Sequence, residues 1–140
     1  MLQPLLALAL ALVLLPACAH AKGGRHAKGH ARAERIEESL RHLAPKERMV
    51  QLCDLVAMRR IRKELPDFRP DRAVADAIVP TVVDAHQVTA PGGALRSDRK
   101  WYALSYTCTL APDDMKVLSF SYRIGAEIPQ SKWAGYGLWE

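Results

Sequence analysis

At 140 residues, 49% of them apolar and 25% charged, the chain has room for one globular domain and is too apolar to be disordered. Its net charge is +5, but residues 22–35 hold Lys22, Arg25, Lys28, Arg32 and Arg35 against Glu34, a net of +4, which leaves +1 for residues 36–140. The basic character therefore belongs to one arm, which disfavours a uniformly basic nucleic-acid-binding domain.

Leu5 to Leu15 is an unbroken apolar run without charge. It is far shorter than the roughly 20 residues that span a bilayer, so no transmembrane span is expected. Ala17-Cys18-Ala19 and Ala19-His20-Ala21 follow at once, and both offer the small-x-small pattern that signal peptidase accepts. The expectation is a signal peptide over residues 1–21 and a periplasmic or secreted protein. Leu15-Pro16-Ala17-Cys18 also has the look of a lipobox, so the alternative is a lipid anchor through Cys18.

Residues 22–33 combine Gly23, Gly24 and Gly29 with positive charge and read as a flexible basic linker with nothing to bury. Its natural partner is an anionic surface or another envelope component. His26 and His30 lie four apart, as two metal ligands on a helix would, but the glycines oppose a helix and a solvated tail is preferred. No metal or cofactor is expected.

Residues 34–140 form the predicted single domain. Ile36, Leu40 and Leu43 have helical spacing, so a short amphipathic helix is expected over Arg32–Leu43. Pro45 suits the first turn of a second helix, where its missing N–H costs nothing, and Pro66 stops it, which gives Pro45–Glu64. Arg72–Val79 is open between two readings, since its alanines favour a helix while the preceding proline and its Val and Ile residues allow a strand, which is preferred; Pro80 interrupts, and Thr81–Thr89 reads as another strand. Ala90-Pro91-Gly92-Gly93 is a turn or bulge. Trp101–Leu110 alternates cleanly, with Tyr102, Leu104, Tyr106, Cys108 and Leu110 on one face. Met115–Ile124 alternates again, with Leu118, Phe120, Tyr122 and Ile124 inward, and Gly125 ends it. Gln130–Tyr136 is a short helical turn, with Trp133 and Trp139 packing back on the domain.

Without the leader two cysteines remain, and an even pair in an exported protein is most simply a disulfide. Cys53 shares the apolar side of its helix with Met49, Leu52, Val56 and Ile61, while Cys108 is in phase with the inward residues of its strand. Both sulfurs point at one core. Helices followed by strands argue an α+β fold: N-terminal helices packed on one face of a small antiparallel β-meander, tied by one helix–strand disulfide.

Several blocks also have a familiar order. Cys53-Asp54-Leu55-Val56-Ala57-Met58, Pro70-Asp71-Arg72-Ala73-Val74-Ala75, Gly93-Ala94-Leu95-Arg96-Ser97, Lys100-Trp101-Tyr102 and the run through Cys108 belong to the set. So do Ile128-Pro129, Trp133 and Gly137-Leu138. Together, across residues 45–139, the chain resembles an uncharacterised alphaproteobacterial family, domain of unknown function 930. The resemblance implies an exported domain that keeps both cysteines, and implies no activity.

Candidate chemistry is sparse. His86 is the sole histidine of the sheet region, and Asp84 would share its strand face, so the two can be drawn as base and orienting carboxylate of a small periplasmic hydrolase. No serine sits in an elbow motif. Asp113-Asp114 reads as turn chemistry, and Arg59-Arg60-Ile61-Arg62-Lys63 as a solvated helix end or an anion contact. Arg96, Trp101, Trp133 and Tyr136 are candidates for a binding face, with the competing reading that the aromatics are core. The sequence thus favours a non-enzymatic binding domain over an enzyme, and makes nucleic acid an unattractive partner.

Overall fold

The computed structural model describes residues 23–140, with side chains from Lys28 onward. The expected signal peptide and the lipobox cysteine, Cys18, lie outside the described residues. The order of elements is α1 (Gly23–Arg41), α2 (Pro45–Glu64), β1 (Pro70–Val79), β2 (Val82–Asp84), β3 (Gln87–Ser97), β4 (Lys100–Leu110), β5 (Val117–Glu127), α3 (Gln130–Trp133) and a 3-10 turn at Ala134–Tyr136. This is the α+β arrangement read from the sequence. No helix among the described residues is long and apolar enough to cross a membrane.

All strand pairs are antiparallel, in the order β1-β3-β4-β5, with β2 also paired to β3. β2 meets the start of β3, at Gln87–Thr89, and β1 meets its end, at Gly92–Ser97. The two therefore act as one edge strand broken at Pro80, which has no N–H to give the ladder. The break is enlarged by a register shift between Val74 and Val79, opposite Ala94 and Gly92. Backbones approach closely here: a Cβ on Gly92 would lie 2.6 Å from the Val79 side chain, and one on Gly93 2.9 Å from the Val74 carbonyl oxygen. Only glycine fits either position. The Ala90–Gly93 segment is thus a bulge inside β3, as its composition predicted.

Other boundaries differ from expectation. The expected strand Thr81–Thr89 is split by a turn at Ala85, whose φ is +44°. The glycine-rich linker expected over 22–33 is helical from Gly23. Ala27, Ala31 and Ala33, with long basic side chains between them, outweigh two interior glycines at about 1 kcal/mol each. In β5, Leu118 is exposed rather than inward. A register shift between Thr109 and Leu110 brings Val117 opposite Leu110 and turns Leu118 outward. The same strand runs past Gly125 to Glu127, and a second shift between Tyr102 and Leu104 absorbs the extra residue.

The main core lies between α2 and the inner sheet face. Met49, Cys53, Ala57 and Ile61 from α2 meet Ala75, Val88, Leu95, Leu104, Tyr106, Cys108 and Leu110. The Cys53–Cys108 bond crosses this core, with Cα atoms 6.1 Å apart and a sequence separation of 55. A second, smaller core covers one end of the outer sheet face. There the chain after β5 lays Ile128 and Leu138 on Ala94 and Trp101, with Trp133 and Tyr136 at its margin. Trp133 donates its indole N–H to the Ile128 carbonyl, and Leu138 its N–H to the Trp133 carbonyl, both at 2.9 Å. Gly137, at φ +65°, ends the 3-10 turn in the left-handed region, which glycine enters without strain.

Closing a loop of this length stabilises a chain by about 4 kcal/mol through restriction of the unfolded state. Cys53→Ser or Cys108→Ser is expected to lower Tm by roughly 10–20 °C. Calorimetry of the variants against oxidised and reduced wild type measures it.

Candidate functional site

His86 occupies the turn between β2 and β3, and its partner is not Asp84. Asp84 pairs with Gln87 across the hairpin, whereas His86 Nδ1 lies 2.7 Å from Asp114 Oδ1 in the β4–β5 turn. The expected His86–Asp84 pairing is therefore corrected: the turn at Ala85 carries the ring toward the neighbouring hairpin. The pair ties two turns that each contain a residue at positive φ, Ala85 and Asp114. The side chains are 46% and 17% exposed.

Of the four candidates for a binding face, Arg96 and Trp101 are buried, as the core reading of the aromatics has it for Trp101. Trp101 is fully buried and donates its indole N–H to the Trp139 carbonyl at 2.9 Å. Arg96 is also buried and forms a two-pronged pair with Asp71, at 2.9 and 2.7 Å, which holds the Asp71 carboxyl below the ordinary range. Its guanidinium stands 5.9 Å from the Trp101 ring centroid. Trp133 and Tyr136 pack on the same outer core. Arg96 and Trp101 are thus covered by the C-terminal segment, while Trp133 and Tyr136 belong to that segment and stay half-buried.

The uncovered remainder of the outer face carries a polar band, with Val82 and Leu118 exposed toward its ends. Thr89, Thr107 and Ser121 form one row across β3, β4 and β5, and Ser105 pairs with Arg123 in the next. They line a shallow cleft of about 300 Å³.

A buried carboxyl, not among the sequence's candidates, lies beneath α2. Asp54, 4% exposed, accepts a hydrogen bond from the Tyr106 hydroxyl at 2.9 Å. It is also hydrogen-bonded by the backbone of Ala75, in the stretch where β1 leaves its ladder with β3. Burial pushes its carboxyl up to about 7, against the opposing effect of the Tyr106 bond, and Asp76 raises it further. Burial and the adjacent carboxylate push the Tyr106 hydroxyl up as well. The available signal was one acid inside the otherwise apolar run Leu52–Ala57. Its neighbours make it a hydrogen-bond partner for a broken ladder.

Two groups of basic side chains lie on the helices. Lys28, Arg32 and Arg35 follow one another at four- and three-residue spacing, so they share one stripe of α1, and all three are exposed. Glu37 pairs with Arg41 and Glu38 with His42, and among the described residues no carboxylate pairs with the three cations. In the α2 cluster, Arg60 donates to the Phe120 carbonyl at 3.0 Å on the open edge of β5, and Arg62 donates to the Pro70 carbonyl. The sequence treated this cluster as a unit, yet two of its members secure the sheet. Among the described residues no three metal-ligating side chains converge.

The molecule is thus an α+β domain with a two-sided antiparallel meander and a helix–strand disulfide. Residues 40–138 match the family model described as Domain of Unknown Function (DUF930), and the chain belongs to that family. No curated protein and no solved structure matches it.

Because folding raises the Asp54 carboxyl from 3.8 to about 7, the folded state holds a proton that the unfolded chain releases. Stability is therefore highest below about pH 4 as far as this group is concerned, and falls as pH rises to about 7. Asp54→Asn is expected to remove this fall, worth about 2–4 kcal/mol. Urea melts of both proteins at pH 4.5 and 7.5 measure it.

Proposed function

We propose that this chain is exported and acts by binding rather than catalysis, with α1 as the part that meets an anionic lipid surface in the cell envelope. The observation that carries the reading is the exposed stripe Lys28, Arg32 and Arg35, set on a helix that precedes a nearly neutral domain. Each Lys or Arg held near such a surface contributes about 1 kcal/mol, so three of them supply useful and salt-sensitive affinity. The apolar leader and the disulfide both support delivery to an oxidising compartment. The competing hydrolase reading keeps His86 but not its assumed partner, since Asp114 takes that place.

Two measurements test this reading. Sedimentation with phosphatidylglycerol vesicles is expected to retain the protein at low salt and release it by 0.5 M salt, an ionic strength where the screening length is roughly 4 Å. Lys28→Glu with Arg32→Glu and Arg35→Glu is expected to weaken retention at least tenfold with an unchanged circular dichroism spectrum. Equal retention by phosphatidylcholine, or by the triple variant, overturns the surface role. His86→Ala is expected to lower stability by less than about 1 kcal/mol, as for exposed ion pairs. A hydrolytic activity that this substitution abolishes would replace the binding reading.

A further inference from the structure

α2 carries apolar side chains on two sides. Cys53, Ala57 and Ile61 face the sheet, while Leu52, Leu55 and Met58 are only half-buried. α1 reaches over this outer side with Ile36 and Leu40, but does not close it. A groove of about 600 Å³ remains between the two helices, floored by Leu40, Leu52, Leu55, Met58 and Met115. That volume lies within the range of sites that hold a small molecule, roughly 300–1,000 Å³.

The charges at its rim are not balanced. Arg32, Arg59 and Arg62 reach the groove, as do the carboxylates of Glu37 and Asp71. Both carboxylates have other partners: Glu37 is bound to Arg41 at 2.6 Å, and Asp71 to Arg96. Arg62 is engaged by the Pro70 carbonyl. Arg32 on α1 and Arg59 on α2 are left exposed, with no carboxylate pairing to either among the described residues. An apolar floor beneath two unneutralised guanidiniums is complementary to a chain that ends in an anion.

We propose that the groove between α1 and α2 binds one acyl chain of an anionic lipid amphiphile, the tail on Leu52, Leu55 and Met58 and the head group between Arg32 and Arg59. This deepens the surface reading and rests on it for the source of the ligand. The basic stripe brings the protein to the bilayer, and the groove takes a single molecule from it.

The test uses laurate and dodecyltrimethylammonium, equal in chain length and opposite in head-group charge, titrated into the protein below their micellar concentrations. Calorimetry is expected to show one saturable laurate site, with the cationic surfactant at least tenfold weaker. Amide NMR shifts are expected over Leu52–Arg59 and Ile36–Leu40. Arg59→Glu, outside the α1 stripe, is expected to weaken laurate at least tenfold, and Leu55→Glu to abolish its binding. The near-ultraviolet circular dichroism of both variants checks that they fold. Equal binding of the two surfactants, shifts centred on Ser105, Thr107 and Ser121 instead, or unchanged affinity in both variants overturns the groove. Vesicle retention without laurate binding also overturns it and leaves the surface role standing. Laurate binding without vesicle retention supports the groove and removes the surface role.

Discussion

The Cys53–Cys108 bond is the constraint around which the domain is arranged. It joins the middle of α2 to β4, the strand flanked by β3 and β5. One residue along the helix and two along the strand, Asp54 and Tyr106 make a second link. The covalent tie and the hydrogen bond fix the height and rotation of α2 over the sheet. With that rotation set, Met49, Ala57 and Ile61 enter the core, and Leu55, on the opposite side of the helix, is left to α1 and solvent. The buried carboxyl follows from the same geometry: a helix held this close brings Asp54 to the stretch where Gly92 and Gly93 draw β1 out of register. An acid there answers a backbone group that the ladder does not. Ionisation of that acid opposes folding near neutral pH, because a buried carboxylate loses its water.

The sheet is covered on both faces, unequally. α2 spans the inner face, and the C-terminal segment closes one end of the outer face around Trp101. This division sorts the aromatic residues. Trp101 and Trp133 send their indole N–H groups to carbonyls of the same segment, which is how a large amphipathic ring is buried without an unpaired donor. Arg96 is drawn into the same cluster by Asp71 and the Trp101 face. The open half of the outer face carries hydroxyls and Arg123, the ordinary furnishing of an antiparallel sheet that faces water on one side. The free edge at β5 is blunted by Arg60, which occupies the Phe120 carbonyl.

Among the described residues, cations without a carboxylate partner occur on the sheet as well as on the helices, and four of the helical ones lie together. Lys28, Arg32, Arg35 and Arg59 lie on the two helices, next to the part of α2 whose apolar residues stay half-exposed. A positive and partly apolar surface on one side of a neutral domain suits contact with something anionic and greasy. The disulfide makes such a surface dependable, since the helix that carries Leu55 and Arg59 cannot slide on the sheet while the sulfurs are joined.

By itself the sequence determined the order of helices before strands, the course of α2 between Pro45 and Glu64, the inward phase of β4, the pairing of the two cysteines and the family. Each is set by patterns in the chain: periodicity, a proline stop, two cysteines in the inward phase of a helix and a strand. The tertiary structure alone decided which way His86 turns, whether Trp101 is a face or a core, that Leu118 looks outward, and that Asp54 is buried. Those outcomes depend on register shifts and on a C-terminal segment folding over the far side of the sheet. A one-residue slip in a strand exchanges its two faces, and no local pattern records where such a slip falls. The helical start at Gly23 has a different cause, because the alanines and long basic side chains of the arm favour a helix more than its glycines oppose it.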